Sequence, residues 1–173
     1  MIIVPNDIRD VRPIADNVND LKRIVPYIEE CEKLYVMPAI GAKQYLAIET
    51  AIANSIKETA SVPLSDELKN LLNGCYYDSD NQHCEGLKKA MGYLAYSRIA
   101  RNGSANVTAF GLVQKTGQFS EALDEKAIVR IANDAEKIGL EYLKQCVDYL
   151  NFGKQKEDKR IFKGKTKFKA IGD

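Results

Sequence analysis

The chain has 173 residues, 45% of them apolar and 28% charged, the size and composition of a single folded domain with its own core and not of a disordered or fibrous protein. No apolar run approaches the roughly 20 residues that cross a bilayer, so a membrane span is excluded. A formal charge of +1 conceals a division: residues 154–173 carry eight Lys/Arg and three Asp/Glu, a net +5, against a net −4 over residues 1–153, so the basic end either meets something negative, such as nucleic acid or an acidic protein surface, or is a set of solvated lysines.

The opening Met1-Ile2-Ile3-Val4-Pro5 has neither a basic leader nor a long apolar stretch. A secretory signal is not expected, and an intracellular setting, or a particle assembled in one, is. Asn19 or Asp20 offers a cap to a helix in which Leu21, Ile24, Val25, Ile28, Cys31 and Tyr35 recur at three- and four-residue spacing. Pro26 suits a first turn, so the regular part is expected over residues 25–37. Pro38-Ala39-Ile40-Gly41 interrupts it, and a second helix follows with Tyr45, Ile48, Ile52 and Ile56 on one side.

Ser65 or Asp66 opens a short third helix through Leu68, Leu71 and Leu72, with Gly74 as its left-handed stop. Residues 76–82 are polar and turn-forming and read as a loop. In the fourth helix Leu87, Met91, Leu94 and Ala95 mark one face, and Gly86, Ala90, Tyr93 and Ser97 form a side of mostly small residues suited to close approach. It stops at Asn102-Gly103. Val107 to Gln114 surround Gly111 with β-branched and aromatic residues, the signature of a short extended segment.

Ser120 begins a long last helix with Glu121, Asp124 and Glu125 at its positive end. One seam of this helix contains Ile128, Ile131, Ala135, Ile138, Tyr142, Cys146 and Tyr149; a second contains Leu140, Leu143, Val147 and Leu150. Two seams suit a helix central to a bundle or shared with another subunit. Gly153 is read as its end. In the tail, Lys163, Lys165, Lys167 and Lys169 alternate with Phe162, Gly164, Thr166, Phe168 and Ala170, the period of a strand. Such a strand needs a partner edge, either Ile2-Ile3-Val4 or a neighbouring subunit; the alternative reading is a disordered lysine-rich end whose alternation is accidental. The expectation is a mainly α protein: a four- to five-helix bundle over residues 1–152, with a long C-terminal helix, a short extended segment near 107–114 and a basic, β-like tail over 153–173.

Chemistry-bearing constellations are sparse. The four cysteines, Cys31, Cys75, Cys84 and Cys146, read as free thiols, with Cys31 and Cys146 acting as small hydrophobes among apolar neighbours. Cys75 with His83-Cys84 is the only cluster resembling metal ligands, and its spacing matches no usual zinc pattern. His83 is the only histidine, so any triad would have to use it. Gly164-Lys165-Thr166 lacks the preceding glycine of a phosphate loop, and the pairs Glu29/Glu30 and Asp124/Glu125 have no second ligand set. No catalytic, cofactor or metal residue is assigned, and a binding or structural role is expected over an enzyme.

The order of elements carries more. A helix leading into Leu34-Tyr35-Val36-Met37-Pro38-Ala39-Ile40-Gly41, a helix bearing Tyr45, two further helices, the turn through Phe110-Gly111-Leu112-Val113-Gln114 and the long last helix resemble tailed-phage head–tail connectors. These are the head-completion adaptors of Bacteroidetes phages and prophages, and the resemblance covers residues 14–152. It implies a mainly helical structural virion protein at the neck, assembled in the bacterial cytoplasm. It further implies a homo-oligomeric ring, commonly dodecameric, between the portal protein and a tail or second adaptor protein, with double-stranded DNA passing non-specifically through the lumen. On that reading Ile138, Leu140, Leu143, Val147 and Leu150 form the oligomer interface. Lys163, Lys165, Lys167 and Lys169 face DNA or an acidic partner, and Phe162 and Phe168 dock the tail strand. The alternatives are a nucleic-acid-binding protein acting through its tail and a small helical enzyme or metal protein using the 75–84 segment.

Overall fold

In the computed structural model, residues 1–14, 18–56, 62–78, 82–102, 105–108, 111–114 and 124–165 are described, with 105–108, 111–114 and 155–165 as backbone only. The chain begins with a single turn, α1 (Pro5–Arg9), that presents Ile8 to the core. Ile2 and Ile3 are buried beside it rather than paired as a strand, so this segment is core and not the edge sought for the tail. A second turn, α2 (Asp20–Arg23), is capped by Asn19, whose Oδ1 accepts from the Lys22 N–H at 3.0 Å.

α3 (Val25–Cys31) passes into a π-helical turn, Glu32–Val36, and then into α4 (Met37–Ile40) without a break. The expected interruption at Pro38 is therefore corrected. In the π turn the Met37 N–H reaches the Glu32 carbonyl five residues back, and this change of ladder register accommodates Pro38, which has no N–H to give. The break falls only at Gly41, the last residue of the expected interruption, whose φ of 86° is open to glycine and strained for other residues. The π turn also places Glu32 inside, where Oε1 accepts from the Ile2 N–H at 2.5 Å and Oε2 from the Tyr45 hydroxyl at 2.9 Å. A buried carboxylate is thereby hydrogen-bonded at both oxygens, as burial requires.

α5 (Ala42–Ile56) buries Tyr45 and Ile48, and α6 (Asp66–Asn73) buries Leu71 and Leu72. Ser65 caps α6 through the Leu68 N–H at 3.3 Å, and Gly74 ends it at φ 97°. The next segment is not the loop expected from its polarity but a hairpin: β1 (Cys75–Tyr77) pairs antiparallel with β2 (Gln82–Cys84), Cys75 opposite Cys84. α7 (Leu87–Asn102) buries Leu87, Ala90, Met91, Gly92, Leu94, Ala95 and Ser97, and α1, α3, α6 and the last helix all pack on it. A helix buried on this many sides is the centre of the bundle, one of the two places expected for the last helix.

The extended segment is a second antiparallel hairpin, β3 (Ala105–Thr108) with β4 (Gly111–Gln114). The last helix, α8 (Glu125–Lys165), lies along α7. Its contact seam is Ala132, Ala135, Gly139, Leu143 and Cys146, all buried. Gly139 sets the spacing, because a Cβ there would stand 2.7 Å from Leu94 Cγ and 3.0 Å from the Ala90 carbonyl oxygen. Ser120 lies outside the described residues. At the other end the helix does not stop at Gly153 but runs to Lys165. Phe162, Lys163 and Lys165 are thus on helical backbone, which corrects the strand expected from Phe162 onward; Lys167, Phe168 and Lys169 lie outside the described residues. The intervening Lys154-Gln155-Lys156-Glu157-Asp158-Lys159-Arg160 contains mostly good helix formers, which carry the ladder past one exposed glycine. The protein is mainly helical with a long C-terminal helix.

Candidate interaction surface on the last helix

The five residues expected to form one interface are divided by the packing. Leu143 is 4% exposed and belongs to the core, and Leu150 packs against the core's edge. Ile138 and Val147 are half-buried. Leu140 alone of the five stands out, at 44% exposure, with Val129 at 43% eleven residues before it. Eleven residues are three helical turns, so Val129 and Leu140 share a flank, and Val147, seven residues on, continues it. Ile131 and Ile138, also seven apart, form a sparser row on the opposite flank, Ile131 being exposed. Sequence periodicity alone does not select Val129, although its spacing to Leu140 is visible there.

Polar residues bracket this ridge. Lys126, Arg130 and Lys137 surround Val129 together with Glu125, Asn133 and Asp134 in a shallow cleft of about 600 Å³. On the buried side, Glu136 accepts from the Tyr35 hydroxyl at 2.8 Å and from Arg101 Nη2 at 2.6 Å. The Tyr35 hydrogen bond, helped by Arg101, holds the Glu136 carboxyl below the usual range despite partial burial. Arg98 meets Glu30 at 2.9 Å. These pairs tie the π-turn rod, α7 and α8 together behind the ridge, so that it sits on a fixed element.

A second, only partly apolar surface, with Gln44, Glu67, Asn70 and Asp78 among its lining, lies at the other end of the described body. α5, α6, β1 and α8 enclose a groove of about 780 Å³ walled by Ile48, Leu68, Leu71, Tyr77, Leu150 and Phe152. Tyr77 is the pivot: its ring meets Tyr149 edge-on at 5.1 Å and Phe152 at 5.2 Å, arrangements aromatic rings favour. Burial, with Asp148 adding to it, pushes the Tyr77 hydroxyl upward in pKa. The groove is illegible in the sequence because its floor strand reads as a polar loop. Over the other side of the hairpin lies a polar cup of about 790 Å³, lined by Asp78, Gln82, His83, Gln145, Asp148 and Asn151 among others.

The hairpin separates the residues considered for metal binding. His83 stacks on Tyr76 at 4.4 Å and brings Nδ1 to 3.3 Å from Glu85, whereas the Cys84 sulfur turns inward to Cys146 at 3.6 Å. Among the described residues no three His, Cys, Asp or Glu side chains gather as a metal site, and no helix is long and apolar enough to cross a membrane. Lys163, Lys165 and Phe162 are placed by backbone only, and the structure gives no geometry for the charged tail as a site.

Fold and surface together define a helical protein with a closely packed α7–α8 pair, a small hairpin, and two unlike, partly apolar surfaces to which its last helix contributes. A family model described as a family of unknown function, DUF6712, matches residues 43–156, from α5 into the final part of α8, and the chain belongs to that family. Neither a curated protein nor a solved structure shows significant similarity to it.

Proposed function

We propose that the protein is a structural virion component, one subunit of a ring adaptor seated between portal and tail at the phage neck, with a lumen that conducts double-stranded DNA. The observation that carries this reading is the apolar surplus of α8. Its inner seam is already satisfied by α7, yet Val129, Ile131 and Leu140 remain 43%, 38% and 44% exposed on a helix braced by ion pairs. A cyclic assembly joins subunits head to tail and asks each for two different surfaces. The Val129–Leu140 ridge and the Tyr77–Phe152 groove, on different stretches of α8, meet that requirement. The net +5 of residues 154–173 supports a non-specific electrostatic contact with passing DNA.

The test is the mass distribution of the full chain at micromolar concentration, alone and with purified portal rings, by mass photometry and negative stain. A discrete closed oligomer, or decoration of the portal, is expected, and Leu140→Asp should abolish either while leaving helical content unchanged. A strictly monomeric chain that ignores portal and tail proteins refutes the proposal. The second reading, a nucleic-acid-binding protein without a ring, is favoured by the charge division alone. It predicts steeply salt-dependent DNA affinity in the monomer, lost when Lys163, Lys165, Lys167 and Lys169 become Glu.

A further inference from the structure

The β1–β2 hairpin closes at its base through Gly74 and Gly86, at φ 97° and 98°. The closure is tight: a Cβ on Gly74 would stand 2.8 Å from the Cys84 carbonyl oxygen, and one on Gly86 2.6 Å from the Gly74 nitrogen. No other residue type fits both positions, so the strand ends are locked. That lock carries Cys84 against α8, where its sulfur lies 3.6 Å from the sulfur of Cys146, both side chains fully buried. Sixty-two positions separate the two cysteines along the chain, so the contact is made by the tertiary fold.

The third nearby thiol is placed differently. Cys75 stands opposite Cys84 in the strand register, is only partly buried, and lines the apolar groove. Cys31, the fourth, is buried in α3. A disulfide needs its sulfurs at about 2.05 Å. From 3.6 Å the two sulfurs have about 1.5 Å left to close.

We propose that Cys84 and Cys146 are an oxidisable staple, and that a peroxide links them into a disulfide fastening β2 to α8. Cys84 is the attacking sulfur. Its thiolate displaces at one peroxide oxygen, the O–O bond breaks, and a sulfenic acid and hydroxide result. The Cys146 sulfur then attacks the Cys84 sulfur, the S–O bond breaks, and the departing hydroxide and the Cys146 proton make water. In sum two thiols lose two hydrogens and two electrons, and one hydrogen peroxide becomes two waters. The order of events follows from the shared S–H···S bond: it eases proton loss at Cys84 and hinders it at Cys146, with burial adding to that resistance. Because both sulfurs are covered, reaction waits on local opening of the hairpin from α8. Once formed, the link prevents that opening and fixes the wall that the polar cup and the apolar groove share.

The experiment treats the purified full chain with hydrogen peroxide, unfolds it in an alkylating agent, and maps its peptides by mass. Expected are a loss of about 2 Da, one cross-link joining the peptides of Cys84 and Cys146, and alkylated Cys31 and Cys75. Amide exchange over residues 75–84 slows in the oxidised protein and recovers on reduction. Cys146→Ser should stop the cross-link and leave Cys84 as a trappable sulfenic acid, and where that variant does not fold, the wild-type map decides alone. A Cys75–Cys84 link, stepwise oxidation of single cysteines without a cross-link, or four alkylated thiols after exhaustive treatment overturns the proposal.

Discussion

Gly139 and Gly153 occupy the interior of the same helix, so the same substitution at each isolates what packing contributes. Replacing an interior glycine by alanine stabilises a helix by about 0.5–1 kcal/mol through backbone entropy alone. At Gly153 a new Cβ meets nothing within 4 Å, and Gly153→Ala should show that gain undiminished. At Gly139 the methyl would stand 2.7 Å from Leu94 Cγ and 3.0 Å from the Ala90 carbonyl oxygen. Leu94 is fully buried, so it cannot swing away, and the backbone oxygen cannot yield without shifting α7. Overpacking of this kind costs about 1–3 kcal/mol, which exceeds the entropic gain and leaves Gly139→Ala destabilised by about 1 kcal/mol. Urea unfolding of both variants reads the two signs directly as changes in midpoint at constant slope. Equal shifts in one direction would refute the close approach of α7 and α8 on which the buried seam rests.

Three further outcomes rest on the packing. Leu143→Asp places a charge in the core and should cost about 3–5 kcal/mol, whereas Leu140→Asp, on the open flank, should change stability by less than about 0.5 kcal/mol; similar melting temperatures for the pair would overturn the assignment of faces. Tyr45→Phe removes the donor to Glu32 Oε2 and should destabilise by about 1–3 kcal/mol, measured by thermal unfolding; a shift indistinguishable from zero means that oxygen is satisfied otherwise. Glu136 is held below its unfolded pKa by Tyr35 and Arg101, so its contribution is complete above the unfolded value and fades as pH falls through the folded one. Glu136→Gln should therefore cost about 0.5–1 kcal/mol at neutral pH, and the gap to the parent protein should close well below the ordinary glutamate value of about 4.3. A gap that persists in acid contradicts the linkage.

Local signals locate most helices. The Asn19 and Ser65 caps, the Gly74 stop and the spacing of Tyr45 and Ile48 are legible because each depends on neighbours within four residues. The features that escape depend on distant partners or override a local rule. α1 is a single turn, too short to show a period. The Cys75–Cys84 hairpin joins strands of three residues, so alternation has no room to appear, and its turn-forming stretch dominates the pattern. Pro38 reads as a breaker because no sequence pattern announces a π turn ahead of it. The lysine alternation from Lys163 has a period that the backbone through Lys165 does not follow; helix-forming neighbours outweigh it there. Of the candidate site, Leu140 groups with buried Leu143 because a seam of period 3.5 cannot by itself say where core ends and surface begins.

The π turn at Glu32–Val36 acts on the rest of the molecule as a phase shift. It winds one residue more than a regular helix holds, and on its account Val36 is fully buried while Tyr35, the next inward position of an unbroken α-helix after Ile28 and Cys31, reaches sideways to Glu136. Excising a single residue there would restore ordinary winding and rotate everything as far as Gly41 by about 100°. The reversal at Gly41 would then launch α5 in another direction, carrying Ile48 and its wall of the groove with it. Five residues near the start of the chain thus set the aim of a surface whose other walls are built from about thirty to more than a hundred positions later.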